Sequence, residues 1–386
     1  MTVPGGSSDT VAVGVDSDTV IVGGGLIGCA LAAELAARGQ RVTVLERGEP
    51  GDEASGAAAG MLSPQADARE PGSLFELGLE SRGLYPAWID ALRRETGVDP
   101  GFRRLGLLRC AFRDEDADGL FSSFAWQLGR GLAVEDRTEP ALRAEIDGRL
   151  SPEVRRAVFF PEEGAVEPRT LTRAAWLCAA GRGARVLTGT AVRRFLLEGG
   201  ACRGVETDAG TLRAGAVVDA AGAWAAFDEG VTFPIPVHPV RGQIVRLRID
   251  GPPLRTQVSS DEVYLVPRPE GEIIVGSTLE LVGFRKAVTA EAIERLLAAA
   301  IRLIPALRAA RVDAAWSGLR PGTPDGLPIL GESPVPGLFF ATGHFRNGIL
   351  LAPVTAALVA DVVTGGARRD LSAFSVARFS PAACTA

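Results

Sequence analysis

Two kinds of apolar pattern alternate along the chain. Residues 19–22 form a short apolar run of β type, and residues 41–46 (RVTVLE) read as a second strand. Between them, residues 26–37 are rich in Ala and Leu and free of proline, and Arg38-Gly39 closes the run, as at a helix end. The order strand, helix, strand predicts a βαβ unit. Farther on, residues 243–248, 262–267 and 272–276 alternate apolar and polar positions around the turn Arg268-Pro269-Glu270-Gly271, the pattern of antiparallel strands. Helices are predicted over 73–95 and 289–303. The apolar strand 216–219 and the small residues after it, through Trp224, predict a distant segment that rejoins the nucleotide unit. The fold class is therefore α/β: a Rossmann-type domain and a second, lid-like α+β domain built on an antiparallel sheet.

Composition narrows the partners. The 386 residues suit two domains at about 150 residues each. Hydrophobic residues at 46% and charged residues at 23% indicate a packed globular protein. A net charge of −6 lacks the basic footprint that nucleic acid requires. Lys286 is the single lysine among 41 basic residues, so each arginine must be judged by its neighbours. Five scattered cysteines without a CxxC fit a reduced cytosol, hence a cytoplasmic location. The two histidines, His238 and His344, have no ligand spacing, so no metal site is expected. No Walker lysine and no G-x-S-x-G elbow occur. The longest apolar stretch, 348–360, is broken by Pro353 and too short for a membrane span. Residues 1–16 read as a disordered extension rather than a signal peptide.

The chemistry lies in glycine-rich segments. Gly23-Gly24-Gly25-Leu26-Ile27-Gly28 matches G-x-G-x-x-G between strand and helix. Gly23 allows the tight turn, Gly25 lets backbone approach a pyrophosphate, and Gly28 lets the helix pack on the strand. The helix N-terminus offers its N–H groups to the phosphates. Glu46 ends the second strand, where its carboxylate can accept both ribose hydroxyls. The cofactor is then FAD or NAD. Small residues over 54–61, including Ser55, Ala58, Ala59, Gly60 and Met61, would let a flat ring lie against backbone, although the same run would suit a close-packed helix turn. With Ala221, Gly222 and Trp224, they favour flavin.

These motifs, together with Gly164-Ala165-Val166-Glu167-Pro168, Leu319-Arg320-Pro321-Gly322-Thr323 and the block from Gly343 to Pro353, resemble the D-amino-acid oxidase family of FAD-dependent oxidoreductases, in particular its branch in thiamine biosynthesis. The resemblance covers about residues 17–370. It implies a discontinuous FAD domain over 17–85, 150–235 and 318–370, a substrate domain over 86–149 and 236–317, and a tail over 371–386. It adds Arg47, Arg320, His344, Arg346, Asn347, Gly348, Ile349 and Leu350 to the expected FAD contacts.

Alternation places Glu262, Tyr264 and Val266 on one strand face. Tyr264 suits a half-buried strand position, and the resemblance implies that its hydroxyl helps hold a substrate carboxylate, with Glu262 near the mouth. Arg346 lies just before or at the start of the helix that follows Asn347-Gly348. Helix N-termini disfavour cations, so its placement suggests either an anion from elsewhere or a salt bridge across the fold. The sharper expectation is that Arg320 grips the substrate carboxylate bidentately, with Arg346 and Tyr264 in support. The helix end would also face the flavin pyrimidine edge.

The implied reaction is oxidation of a small amino acid such as glycine, sarcosine or D-alanine, with Met61 limiting substrate size and dioxygen giving hydrogen peroxide. His344 is expected to be structural. The sarcosine-oxidase type places a lysine near the flavin, which Lys286 does not evidently match, so an FAD-linked dehydrogenase with another acceptor is the alternative. A flavin-binding protein without turnover is the third reading. A homo-oligomer and a hand-off of product to thiazole synthase complete the expectations.

Overall fold

The computed structural model describes residues 17–113, 115, 124–227, 230–366 and 369–380. The expected extension over 1–16 and residues 381–386 of the expected tail lie outside them. Strand Ser17–Val22 is buried along nearly its whole length and pairs in parallel with Val42–Leu45 on one side and Gly210–Asp219 on the other. A strand covered on both faces needs a continuous apolar run rather than alternation, which residues 19–22 supply. Ile21 and Val44 face one apolar cluster, with helices Leu26–Ala37, Pro168–Gly181 and Ala352–Thr364; Val20 and Leu45 face a second, with Phe195, Val217 and Phe340. The sheet continues through Arg185–Leu187 at one edge, and through Leu338–Thr342 and the antiparallel strands at the other.

The second sheet has eight strands, in the order Arg311–Gly322, His238–Arg248, Glu272–Gly276, Tyr264–Pro267, Gln257–Ser259, Leu107–Ala111, Arg156–Phe160 and Glu135–Asp136. All pairs are antiparallel except Leu107–Ala111 with Gln257–Ser259, which run parallel. The amphipathic helix Ala290–Leu303 lays Leu296, Ala300 and Leu303 against Val245, Leu247, Ile273 and Val275. Burial of each of these leucine, isoleucine and valine side chains stabilises by about 1.5–3 kcal/mol.

Three expected segment boundaries move. Strand Arg156–Phe160, assigned from sequence to the nucleotide domain, pairs in register with Leu107–Ala111 of the second sheet. Helix Ser73–Thr96 runs through the expected boundary at 85/86, and Tyr85, Ile89 and Leu92 all join the nucleotide-side core; the helix ends at Gly97, whose φ of 69° lies in the left-handed region. Residues 371–380, read as tail, form two short 3-10 turns that bury Phe374 and Val376 against the first sheet's clusters. Among the described residues no helix is long and apolar enough to cross a membrane.

Candidate active site

A cavity of about 580 Å³ lies where the two sheets meet, within the range of small-molecule sites. The tight turn after Ser17–Val22 lines one end. Gly23 has φ +107°, and a side chain there would meet the Ala220 carbonyl oxygen at 2.5 Å. Gly25 caps helix Leu26–Ala37 in an extended conformation with no side chain of its own, and the Ser55 hydroxyl accepts the Leu26 N–H at 3.0 Å. Ser55, expected as a cofactor contact, is thus also the helix's cap. Among the described residues the N–H groups of Gly25, Gly348 and Ile349 have no protein acceptor, and all three residues line the cavity. Glu46 stands at the end of its strand with Oε2 accepting Gly24 N–H at 2.7 Å and Oε1 accepting Gly48 N–H at 2.8 Å. These two bonds fix the carboxylate and leave lone pairs for further donors. Glycine cradle, unpaired N–H groups and fixed acid fit an adenine dinucleotide.

Small residues form the cavity's middle. Ala57, Ala58, Ala59, Gly60 and Met61 line it, with Ala221 and Gly222 also among its walls. Their carbonyls are anchored from the other sheet: Trp316 Nε1 donates to the Ala57 oxygen at 3.0 Å, and the buried Arg268 guanidinium donates to the Ala59 oxygen. Gly60 has φ +80°, and a side chain there would strike the Val166 oxygen at 2.1 Å. Backbone therefore forms the wall because side chains cannot fit.

Strands of the second sheet bring Tyr264 and Arg320 to the other end, the short strand Met61–Leu62, paired with Gly164–Ala165, adds Met61, and Arg346 enters from the nucleotide side. Arg320 is half-buried. Its Nη2 donates to Ser277 Oγ at 2.5 Å and its Nη1 to the Thr278 oxygen at 3.2 Å. Burial lowers its pKa, the neighbouring Tyr264 oxygen favours its charge, and the nearby Arg346 opposes it. Among the described residues no carboxylate pairs with Arg320. Room for this group comes from two glycines: a side chain at Gly242 would lie 2.2 Å from Arg320 Nη1, and one at Gly276 would lie 2.4 Å from the Tyr264 hydroxyl. Gly242→Ala is expected to displace the guanidinium, a flexible side-chain end, and raise the KM for an amino acid about tenfold while flavin is retained; steady-state kinetics and absorbance check this.

For Arg346 the structure selects among the alternatives the sequence leaves open. The helix starts only at Ala352, with Leu351 as its cap, so Arg346 lies in the turn before it rather than on the helix end. It also has a carboxylate partner: its Nη2 is 3.4 Å from Asp67 Oδ1. The turn is held by Tyr85, whose hydroxyl donates to the Ile349 carbonyl, and by Ser81, whose hydroxyl donates to the Leu350 carbonyl at 2.6 Å. Phe345 beside it has φ +45°, a conformation L residues seldom adopt. The N–H groups of Gly348 and Ile349, without a protein acceptor among the described residues, belong to this turn and not to the helix.

Other expectations shift as well. Leu26, Gly28 and Leu350 do not line the cavity. Leu26 and Leu350 are core residues, and Gly28 packs over the Gly23 oxygen and Ile21. Glu262 precedes its strand in a bend and is exposed at the rim, with Arg302 at 3.9 Å. The Trp224 ring is covered by the Arg47 guanidinium at 3.8 Å and stacks on Phe284 at 5.2 Å. Arg47 pairs with Glu53 at 2.8 Å, and Glu53 pairs with Lys286 at 2.9 Å. Lys286 does not line the cavity. Asn347 does, and its carbonyl accepts the Leu351 N–H at 2.8 Å.

His344 is buried, with Nε2 at 3.0 Å from Thr355 Oγ1, and burial pushes its pKa down to about 3. The unfolded chain takes up a proton near pH 6.5 that the folded one refuses, so stability falls as pH drops from about 6.5 toward 3. His344→Gln keeps a hydrogen-bonding partner for Thr355 without that titration. Relative to it, the native protein should lose about 1.4 kcal/mol per pH unit between pH 6 and 4, checked by denaturant unfolding. Sequence reasoning missed Gly242, Gly276, Ser277 and Asp67. A glycine within a strand was the available signal for the first two; nothing local marked Ser277 or Asp67. Among the described residues no acid, Cys and His cluster could hold a metal.

Comparison with known proteins gives the family. The model for FAD dependent oxidoreductase (DAO) matches residues 18–362. Glycine oxidase of Geobacillus kaustophilus is 40% identical over 94% of this chain and 96% of its own length, and its crystal structure superposes with a TM-score of 0.91. The bifunctional protein ThiO/ThiG of a Nostoc species is 40% identical over 90% of this chain; the chain spans 52% of that protein, about half the length of the bifunctional relatives it matches. A crystal structure of L-proline dehydrogenase from P. horikoshii is 27% identical, covers 94% of the chain and superposes with a TM-score of 0.85. The chain belongs to the FAD dependent oxidoreductase family, and its cofactor is FAD.

Proposed function

We propose that this protein oxidises a small amino acid, with glycine, sarcosine and D-alanine as the substrate class. The observation that carries the reading is Arg320, a cation in the cavity without a carboxylate partner among the described residues, beside Tyr264. Its guanidinium is held by Ser277 and Thr278, so it is ordered before a substrate arrives. A carboxylate bound there is gripped by parallel N–H groups, with the Tyr264 hydroxyl able to donate a further bond. Met61 and the alanines beside it bound the space for a side chain. Holding the acid group fixes the Cα position, and orientation replaces a chance encounter. FAD would be held by the Gly23–Gly25 turn and Glu46 and would supply the redox chemistry that turns the amine into an imino acid, with dioxygen, reduced to hydrogen peroxide, as the final acceptor. His344 stays neutral and hydrogen-bonded to Thr355, so it takes no proton from the substrate.

The likeness to glycine oxidases of matched length supports this reading. The bifunctional relatives carry a second unit beyond the part matched here, which supports delivery of the imino product to thiazole synthase. One observation favours a second reading, an FAD-linked dehydrogenase: Lys286, the single lysine, does not itself line the cavity and is paired with Glu53 at the wall. A peroxide assay of the purified yellow protein with glycine, sarcosine, D-alanine and D-proline tests both. Peroxide under air supports the oxidase; bleaching of the flavin without peroxide supports the dehydrogenase. Absence of bleaching by all four under anaerobic conditions overturns both.

A further inference from the structure

The substrate end of the cavity holds more charge than a single carboxylate needs. Three arginines line it, Arg109, Arg320 and Arg346, with three acids, Asp67, Asp261 and Glu262. Strand register places Arg109 in the same row as the catalytic end: Arg109 pairs with Ser259, and Ser259 pairs with Tyr264. Paired residues share a sheet face, so Arg109 stands on Tyr264's face two strands away, about 10 Å by strand spacing. Arg109 and Arg346 are nonetheless both engaged. Arg109 Nη2 lies 2.6 Å from Asp261 Oδ1, and Arg346 Nη2 lies 3.4 Å from Asp67 Oδ1. Asp67 is itself set in place from below: the buried Glu163 accepts the N–H groups of Gln65 at 2.8 Å and Ala66 at 3.2 Å, at the start of the short helix Pro64–Asp67.

The charge sum decides the consequence. Once Arg320 holds a substrate carboxylate, Arg346 faces Asp67, Arg109 faces Asp261 and Arg302 faces Glu262 at 3.9 Å, so the remaining cations and anions balance. An amine or ammonium is tolerated in such surroundings, but a second carboxylate finds no free guanidinium to receive it. We propose that Asp67 and Asp261 are specificity residues: by engaging Arg346 and Arg109 they restrict the site to amines bearing one carboxylate and turn away those bearing two. This rests on the proposed amino acid oxidation for its biological meaning, but not for its test.

The test compares two ethers that differ by one carboxylate, methoxyacetate and oxydiacetate, binding to the flavin-loaded protein by calorimetry at low salt. The native protein is expected to bind oxydiacetate more weakly. Asp67→Asn releases Arg346 and should shift the affinity ratio toward oxydiacetate about tenfold or more, the scale of one charge-assisted bond, with the gain shrinking in salt. Asp261→Asn should shift the ratio in the same direction through Arg109. Adding Arg346→Gln to Asp67→Asn should cancel the first gain, because the released guanidinium is what receives the second acid. A ratio in Asp67→Asn within about twofold of the native one, a gain that survives Arg346→Gln, or a native preference for oxydiacetate would overturn the inference. Binding of both ethers without any peroxide from sarcosine would overturn the oxidase reading and leave this one standing. Failure of methoxyacetate to bind overturns both.

Discussion

Arg320→Lys is expected to raise the KM for glycine or sarcosine at least tenfold while the flavin content per protein stays unchanged. The guanidinium sits at the cavity with its two Nη atoms steered by Ser277 Oγ and the Thr278 carbonyl. Lysine keeps the charge but presents one ammonium in place of a planar fork, so at least one charge-assisted bond to the carboxylate is lost. Each such bond contributes about 1.5–3 kcal/mol, which corresponds to about 10- to 100-fold in binding. Lysine also lacks the reach to satisfy Ser277 and Thr278 together, so the ammonium is less fixed than the fork it replaces. The change sits outside the glycine turn and Glu46, so absorbance of the purified variant should match the native protein. Steady-state kinetics with flavin quantitation separates the two effects. An unchanged KM would count against the carboxylate anchor.

The second large effect is expected at Gly28→Ala, and it reverses that pattern: flavin is lost and no substrate effect can be read. A Cβ at Gly28 would lie 2.0 Å from the Gly23 carbonyl oxygen, so either the helix or the turn must move. The turn has no freedom to give, because Gly23 at φ +107° already lies against the Ala220 carbonyl and donates its N–H to the Leu45 oxygen at 2.8 Å. The helix has little, since Leu26, Cys29 and Leu31 are buried in the core below it. Displacing either removes the alignment of the Gly25 N–H and the helix end on the pyrophosphate. The protein should elute from gel filtration colourless, with FAD affinity reduced at least about 100-fold by titration, while circular dichroism reports whether the fold survives. A yellow Gly28→Ala protein with native FAD affinity would contradict the assigned turn.

The parts that were legible in the sequence are those set by local pattern. Residues 17–46 declare strand, turn, helix and strand because each step depends on neighbours within a few positions: apolar run, positive-φ glycine, alanine-rich helix, closing Arg38-Gly39. The alternation at 264–276 likewise fixes which face Tyr264 shares with its paired neighbours. Strand Arg156–Phe160 escaped because five residues with mixed burial carry little periodic signal, and their partner lies some fifty positions earlier. The pairing of Arg346 with Asp67 escaped for a related reason: the two are 279 positions apart, and only the packing of helix Ser73–Thr96 against the Gly343–Leu351 turn brings them together. Gly242 and Gly276 were visible as letters, but their purpose depends on which side chains cross them.

The central claim is that one guanidinium, Arg320, receives the substrate's acid group within reach of the flavin. The most direct measurement is titration of the flavin-loaded protein with glycolate, a carboxylate without an amine, followed by the flavin absorbance bands, in the native protein and in Arg320→Gln. The account predicts a saturable spectral perturbation in the native protein and none at the same concentrations in the variant. Equal perturbation with equal affinity in both would contradict it.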